Sequence, residues 1–263
     1  MPDEGACTAI LIHGAWQGSW VWDRFTPYLA AAAIPFVAVD LPGNGQDGRA
    51  PQDVRYQDYL DQLDHVITSQ NGPVVMVGHS GGGIFASIGA ERHAERVKGV
   101  VYVAGMLLPG GVSYGELLRK SMGETQAGQI GVVPHLRWSA DGAVSWVDPE
   151  AAQRIFLSDC PALLAKQLAC RLTGQPEAGR RIAPYTTPQR FGRIPRLYVE
   201  AEGDRSIPLS MQRRMQDLAP GTHRETLTTG HVPQASRPDL LAEAVIPFIL
   251  AASVSQPQFE YAS

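Results

Sequence analysis

A chain of 263 residues suits one domain, or one domain with a sizeable insertion, and 44% hydrophobic residues are enough to bury a large core. A net charge of -4, with lysine and arginine scattered, excludes the basic stripe of a nucleic-acid binder; low charge with adequate apolar content excludes extended disorder. Cys7, Cys160 and Cys170 have no metal-ligand spacing and are odd in number, so free thiols in a reducing compartment are expected, with no bound metal. The acidic start, Met1 to Cys7, lacks a basic stretch followed by an apolar run, and no stretch of ~18 apolar residues occurs anywhere. The expectation is a soluble cytoplasmic protein with no membrane span.

Thr8 to Ile12 (TAILI) is short, apolar and β-branched, and reads as a buried strand. Trp20 to Ala33 reads as a helix, because Trp22, Phe25, Leu29 and Ala33 recur at helical spacing. Phe36 to Leu41 is a second strand, ended by Pro42-Gly43. Tyr56 to Ser69 is a helix, stopped by Asn71-Gly72-Pro73. Val74 to Val77, a helix over Gly83 to Arg92, and Val97 to Val103 continue the alternation.

From Pro109 to Pro195 the rhythm breaks. A structureless loop of that length is improbable in a compact domain, so this stretch is predicted to be a helical cap inserted after the fourth strand. Arg196 to Glu200, a helix over Leu209 to Leu218, a strand over Arg224 to Leu227 and a helix over Pro238 to Ala251 resume the pattern. The predicted division is a core of residues 1–108 and 193–252, a cap of 109–192 and a flexible polar tail of 253–263. Apolar strands separated by helices indicate an α/β fold, with a parallel sheet covered on both faces.

Gly78-His79-Ser80-Gly81-Gly82 follows the third strand and precedes a helix. A serine at so tight a strand-to-helix turn is thrust clear of the sheet, and Gly78 and Gly82 carry no side chain to collide there. Ser80 is therefore the candidate nucleophile. After the first strand, His13-Gly14-Ala15-Trp16 brings small residues to the same sheet edge. The amides of Ala15 and Gly81 form the candidate oxyanion hole.

His231 directly follows the last predicted strand, and parallel strands share their carboxyl ends, so it is the candidate base. His65, His79, His93, His135 and His223 fit worse: they lie in helices, in the cap, beside the apex or ahead of the last strand. Asp204, after the strand RLYVE, is the candidate carboxylate for His231; Glu202 and Asp40 rank below it. Asp204 also stands where it can cap the helix near Ile207.

With these residues in place, the chain resembles the α/β-hydrolase superfamily. More narrowly, it is similar to the plant methylesterase and hydroxynitrile lyase family and to bacterial pyrethroid-hydrolase-like carboxylesterases. LIHGAWQGSWVWD, DLPGNG, VGHSGGG, FLSDCPALLA and IPRLYVEAEGDRSIPLSMQRRMQ carry the likeness over nearly the whole chain. The resemblance implies about six parallel strands, a cap over the active site, the triad Ser80, Asp204 and His231, the Ala15 and Gly81 oxyanion hole, and no cofactor. A homodimer is common among such relatives.

The chain departs from the lyase branch of that family at three positions. Lyases carry Thr where Gly14 stands, Glu where His79 stands and Lys where Val232 stands. The resemblance therefore implies hydrolysis of a small-molecule carboxylic ester through an acyl-enzyme. Thioester, lactone or amide hydrolysis, cyanohydrin cleavage, and a non-enzymatic ligand receptor stand as alternatives on the same scaffold. Gly14, Trp16, Met106, Leu107, Trp138, Phe156, Leu157, Leu164 and Val232 are the predicted pocket residues, and an apolar pocket would favour hydrophobic or aromatic esters.

Overall fold

A computed structural model describes residues 6–253. The predicted tail falls outside these residues except for Ser253, which closes the last helix and accepts a hydrogen bond from the Cys7 amide. Among the described residues no helix is long and apolar enough to cross a membrane.

The chain opens with β1 (Thr8–Ile12). The helix expected next is broken into a 3-10 turn, Ser19–Trp22, and a short α1 (Thr26–Ala31). The reason is Pro27, which has no N–H to give a preceding turn but is well suited to the first turn of a new helix. β2 (Phe36–Val39) ends two residues before the expected Leu41, because the Leu41 amide donates to His13 Nε2 (2.9 Å) and leaves the ladder. α2 (Tyr56–Thr68), β3 (Val74–His79), α3 (Gly82–Arg92) and β4 (Val97–Val103) follow.

Between β4 and the next strand of the main sheet lies the long insertion. It holds α4 (Tyr114–Met122), α5 (Glu124–Ala127), β5 (Leu136–Trp138), β6 (Val144–Val147), α6 (Pro149–Ile155), α7 (Ala162–Ala169), β7 (Gln175–Pro176) and α8 (Glu177–Arg180). Local chemistry starts its helices. Ser113 and Glu116 form a capping box at α4, and Asp148 caps α6 ahead of Pro149. The expectation of a helical insertion missed its antiparallel sheet, in the order β5-β6-β7. These strands have two to four residues each, too short for alternation to be legible in sequence. The chain then returns through β8 (Arg196–Ala201), α9 (Leu209–Asp217), β9 (Thr222–Leu227), α10 (Pro233–Ser236) and α11 (Pro238–Ser253).

The main sheet is parallel throughout, in the order β2-β1-β3-β4-β8-β9. From β1 the chain first goes to one side, to β2, and then crosses to β3 on the other. Beyond the carboxyl ends of β1 and β3, connections diverge and leave a crevice, where open α/β sheets bind ligands.

Successive residues of the strands feed opposite faces. Ile10, Ile12 and Met76 pack with Tyr59, Leu63 and Ile67 of α2 and with Ile84 and Ile88 of α3. Leu11, Val75 and Val77 pack with Phe25, Leu29 and, from α11, Leu241, Val245 and Ile249. Both apolar clusters run on into the insertion, through Leu117 and Leu118 on one side and Phe156 and Leu157 on the other. The edge strand β9 presents His223, Arg224 and Glu225 to solvent, which discourages edge-to-edge pairing with another chain.

Ile249 is fully buried in the cluster that fastens α11 to the sheet. Ile249→Ala is expected to cost about 2–5 kcal/mol, read as a lower urea midpoint with an unchanged slope.

Candidate active site

Ser80 lies between the end of β3 and the start of α3, with φ at +50°, a left-handed conformation that is uncommon for any residue but glycine. Hydrogen bonds on both sides hold it there. Its amide donates to the Val103 carbonyl (3.2 Å), and its carbonyl accepts from the amides of Gly83 (3.1 Å) and Met106 (2.8 Å). The turn is so tight that a Cβ on Gly78 would stand 2.6 Å from the Gly82 carbonyl oxygen. Ser80 lines a cavity of about 600 Å³.

His231 opens onto the same cavity. Its Nδ1–H donates to Asp204 Oδ2 at 2.7 Å, since a carboxylate can only accept. Among the described residues, Nε2 has no hydrogen-bond partner. The other oxygen of Asp204 accepts from the amides of Ser206 (2.7 Å) and Ile207 (2.9 Å). One carboxylate thus caps the loop after β8 and orients the imidazole. Among the described residues, no hydrogen bond joins Ser80 Oγ to the imidazole; such bonds are often long in unliganded sites and tighten around substrate.

The imidazole is fixed from three further directions. Its own backbone carbonyl accepts from His79 Nε2 (2.8 Å). Phe156 stacks on its ring, with centroids 5.4 Å apart and planes at 27°. The Gly230 amide just before it donates to Asp159 Oδ2 of the insertion (2.7 Å).

The Ala15 amide is oriented by a neighbour. His13 Nδ1–H donates to the Gly14 carbonyl (2.7 Å) while its Nε2 accepts from the Leu41 amide, so the ring is neutral with its proton on Nδ1. In a trans peptide the carbonyl and the next N–H point in opposite directions. Anchoring the Gly14 carbonyl therefore turns the Ala15 N–H away from His13. It lies beside Gly81, where an added Cβ would stand 3.7 Å from Ala15 N. Among the described residues, neither the Ala15 nor the Gly81 amide has a protein acceptor, and both residues line the cavity.

Of the predicted pocket residues, Gly14, Trp16, Met106, Trp138 and Phe156 line this cavity. Contrary to the expectation from sequence, Leu107, Leu157, Leu164 and Val232 do not. Leu107, Leu157 and Val232 are buried in the two apolar clusters, and Leu164 packs half-buried against one of them. Leu107 and Val232 each follow a residue that faces the cavity, and their own side chains go into the core instead. Phe85, Leu118, Gln175, Glu177, Arg180 and Ile207 line the cavity and went unread in the sequence. The first two are ordinary helix-face apolar residues, and the position of the others depends on how the insertion and the loop after β8 fold back over the sheet.

The competing residues lie elsewhere. Asp40 accepts from the Ser19 amide (2.5 Å), and Glu202 is exposed. His65, His135 and His223 are exposed, and His93 meets Asp64. Among the described residues, no group of three His, Cys, Asp or Glu side chains is placed to hold a metal ion.

Burial pushes the pKa of His13 down and that of His79 well down from 6.5. The unfolded chain then takes up protons that the folded one refuses, so stability is full above about 6.5 and falls as pH drops below it. Each ring is expected to contribute a slope of up to about 1.4 kcal/mol per pH unit, measured as urea midpoints between neutral and acidic pH. At Gly14, an added Cβ would stand 2.9 Å from Ser80 Cβ. Gly14→Ala is expected to slow fluorophosphonate labelling of Ser80 by about 10²-fold, the cost of a displacement near 1 Å.

A model of the alpha/beta hydrolase family matches residues 9–244. The pyrethroid hydrolase of Sphingobium wenxiniae is 30% identical over 253 residues, covering 91% of this chain and 86% of that protein. Esterase PIR7B of Oryza sativa subsp. japonica is 27% identical over 251 residues, covering 90% of this chain and 93% of that protein. The crystal structure of a pyrethroid hydrolase from Sphingobium faniae superimposes with a TM-score of 0.75 at 30% identity, covering 94% of this chain and 98% of that one.

Proposed function

The chain belongs to the alpha/beta hydrolase family, and on that ground we propose that it hydrolyses carboxylic esters with bulky apolar groups through an acyl-enzyme on Ser80. One observation carries the reading. His231, hydrogen-bonded to Asp204 at 2.7 Å, opens with Ser80 and two unengaged amides onto one cavity. The esterase names of the relatives support it.

In the proposed mechanism, Ser80 Oγ attacks the ester carbonyl as His231 Nε2 takes its proton. Asp204 holds the imidazole in the tautomer with a free Nε2 and stabilises the imidazolium that forms. Charge developing on the carbonyl oxygen is met by the Ala15 and Gly81 N–H groups. The tetrahedral intermediate collapses, the C–O bond breaks, and the alcohol leaves with the proton from His231. Water then attacks the acyl-enzyme with His231 again as base, releasing the acid and restoring Ser80.

The cavity supports the choice of substrate. A volume of about 600 Å³ suits a drug-sized molecule. Trp16, Phe85, Met106, Leu118, Phe156 and Ile207 give it apolar walls. The arginines that also line it are paired, Arg180 and Arg181 with Glu177 (2.9 and 3.5 Å) and Arg119 with Glu124 (3.4 Å), so the wall adds little unbalanced charge. Uncharged, buried Val232 leaves no cation beside His231 in the sequence, which argues against stabilising a departing cyanide. Free Cys7, Cys160 and Cys170 support a reducing compartment such as the cytoplasm.

A panel of p-nitrophenyl and alkyl esters graded in acyl and alcohol size tests the proposal. Turnover is expected to rise with apolar bulk, and Ser80→Ala to lose about 10⁶-fold in kcat. Substantial turnover in Ser80→Ala would overturn the mechanism. Labelling of Ser80 without hydrolysis across the panel would favour a ligand receptor, and faster cleavage of matched thioesters would change the substrate class.

A further inference from the structure

Trp16 follows Ala15, the residue whose amide is the proposed oxyanion donor. Its φ is +63°, a second left-handed, non-glycine residue at this site. Such a conformation is strained for a residue that carries a side chain and persists only where the surroundings over-determine it. Those surroundings belong to the insertion.

The Trp16 amide donates to Gln175 Oε1 of β7 (2.9 Å). Its carbonyl accepts from the Thr173 amide (2.9 Å). Its indole Nε1–H donates to Ser145 Oγ of β6 (3.1 Å), and the Ser145 hydroxyl passes its own hydrogen to Glu177 Oε1 (2.6 Å). Arg180 closes the circuit by bonding Glu177 (2.9 Å) and resting over the Trp16 ring, 5.1 Å from its centroid. Phe156 stacks against the same ring at 5.9 Å. Gln175 and Ser145 face each other across the β6–β7 ladder, so both members of one rung of the small sheet grip one residue.

We infer that Gln175, backed by Ser145 and Glu177, is a positioning residue for the oxyanion hole. The Trp16 N–H shares a peptide plane with the Ala15 carbonyl. By engaging that N–H, Gln175 sets the plane on the far side of Ala15, while His13 sets the plane that carries the Ala15 N–H. It also withdraws the Trp16 amide from the cavity, so that Ala15 is the donor left free. On this view the insertion completes the catalytic apparatus as well as shaping the pocket. The inference rests on the esterase reading above.

The test uses one ester from the panel, the trifluoromethyl ketone with the same acyl chain, and the matching trifluoromethyl carbinol. The ketone accepts Ser80 Oγ at its carbonyl carbon; the π pair becomes an oxyanion and the proton moves to His231. The carbinol has no carbonyl to attack and reports ground-state binding alone. Gln175→Met is expected to lower kcat and weaken the ketone by about 10–100-fold, somewhat less than outright loss of an oxyanion donor. KM and carbinol affinity should stay within about twofold, since only transition-state binding is lost. Gln175→Glu keeps an acceptor oxygen at the same reach but gives up the donation to the Pro176 carbonyl (3.0 Å) and adds a buried negative charge, so it is expected to recover only part of kcat. Ser145→Ala should move kcat and ketone affinity in the same direction by less.

Equal losses for ketone and carbinol in the Gln175→Met and Ser145→Ala variants would reduce Gln175 to a packing role and overturn the inference. So would unchanged kcat in a folded Gln175→Met. In both cases a wild-type chain that turns over the ester, with Ser80→Ala inactive, would leave the esterase reading standing. A wild-type chain that neither turns over the ester nor binds the ketone would remove both.

Discussion

The site is organised around one backbone constraint, the left-handed turn that Ser80 adopts between β3 and α3. A side chain there leaves the sheet at its carboxyl end and cannot fold back into the core. The constraint spreads outward through steric exclusion. Gly78 must be bare because the Gly82 carbonyl crowds it, and in this chain a Cβ on Gly14 would press on Ser80 Cβ. The Met106 amide, bonded to the Ser80 carbonyl, ties the turn to the chain leaving β4. The topology puts this turn beside the end of β1, where the connections of the sheet diverge, so the His13–Trp16 loop and the serine share one crevice.

Around that turn, the polar groups are arranged by bonds made on their far sides. Asp204 holds His231 by one nitrogen and leaves the other without a partner among the described residues. His13 holds the Gly14 carbonyl and leaves the Ala15 amide pointing away. His79 holds the backbone of His231. The histidines at 13 and 79 thus act through hydrogen bonds from buried, neutral rings. Burial supplies both the neutrality and the rigidity, because water cannot compete for the same bonds.

The insertion reaches both halves of the proposed apparatus. Asp159 and Phe156 meet the His231 loop, and Gln175, Ser145 and Thr173 meet Trp16. Its apolar residues extend the two clusters of the sheet, which gives it a continuous packed footing on the core. Substrate recognition and the proposed oxyanion geometry are therefore mechanically linked. A change in the insertion that alters the pocket also bears on the loop beside the serine.

Much of this was legible from the sequence because it is local. A strand's apolar run, the bare glycines of GHSGG, and the alternation of strand and helix all follow from residues close together in the chain, and Ser80, Asp204 and His231 were each singled out by the strand just before it. The helical spacing of Trp22, Phe25 and Leu29 predicts one helix, and Pro27 within that stretch is what splits it. What only the tertiary structure decided were relations between distant segments. Leu107, Leu157, Leu164 and Val232 are as apolar as true wall residues, and only the direction of each side chain in the folded chain excludes them. Gln175 is an unremarked polar residue in a two-residue strand, 159 positions from the amide it engages. Periodicity and turn chemistry act over a few residues, whereas such a hydrogen bond exists only once packing has brought its two ends together.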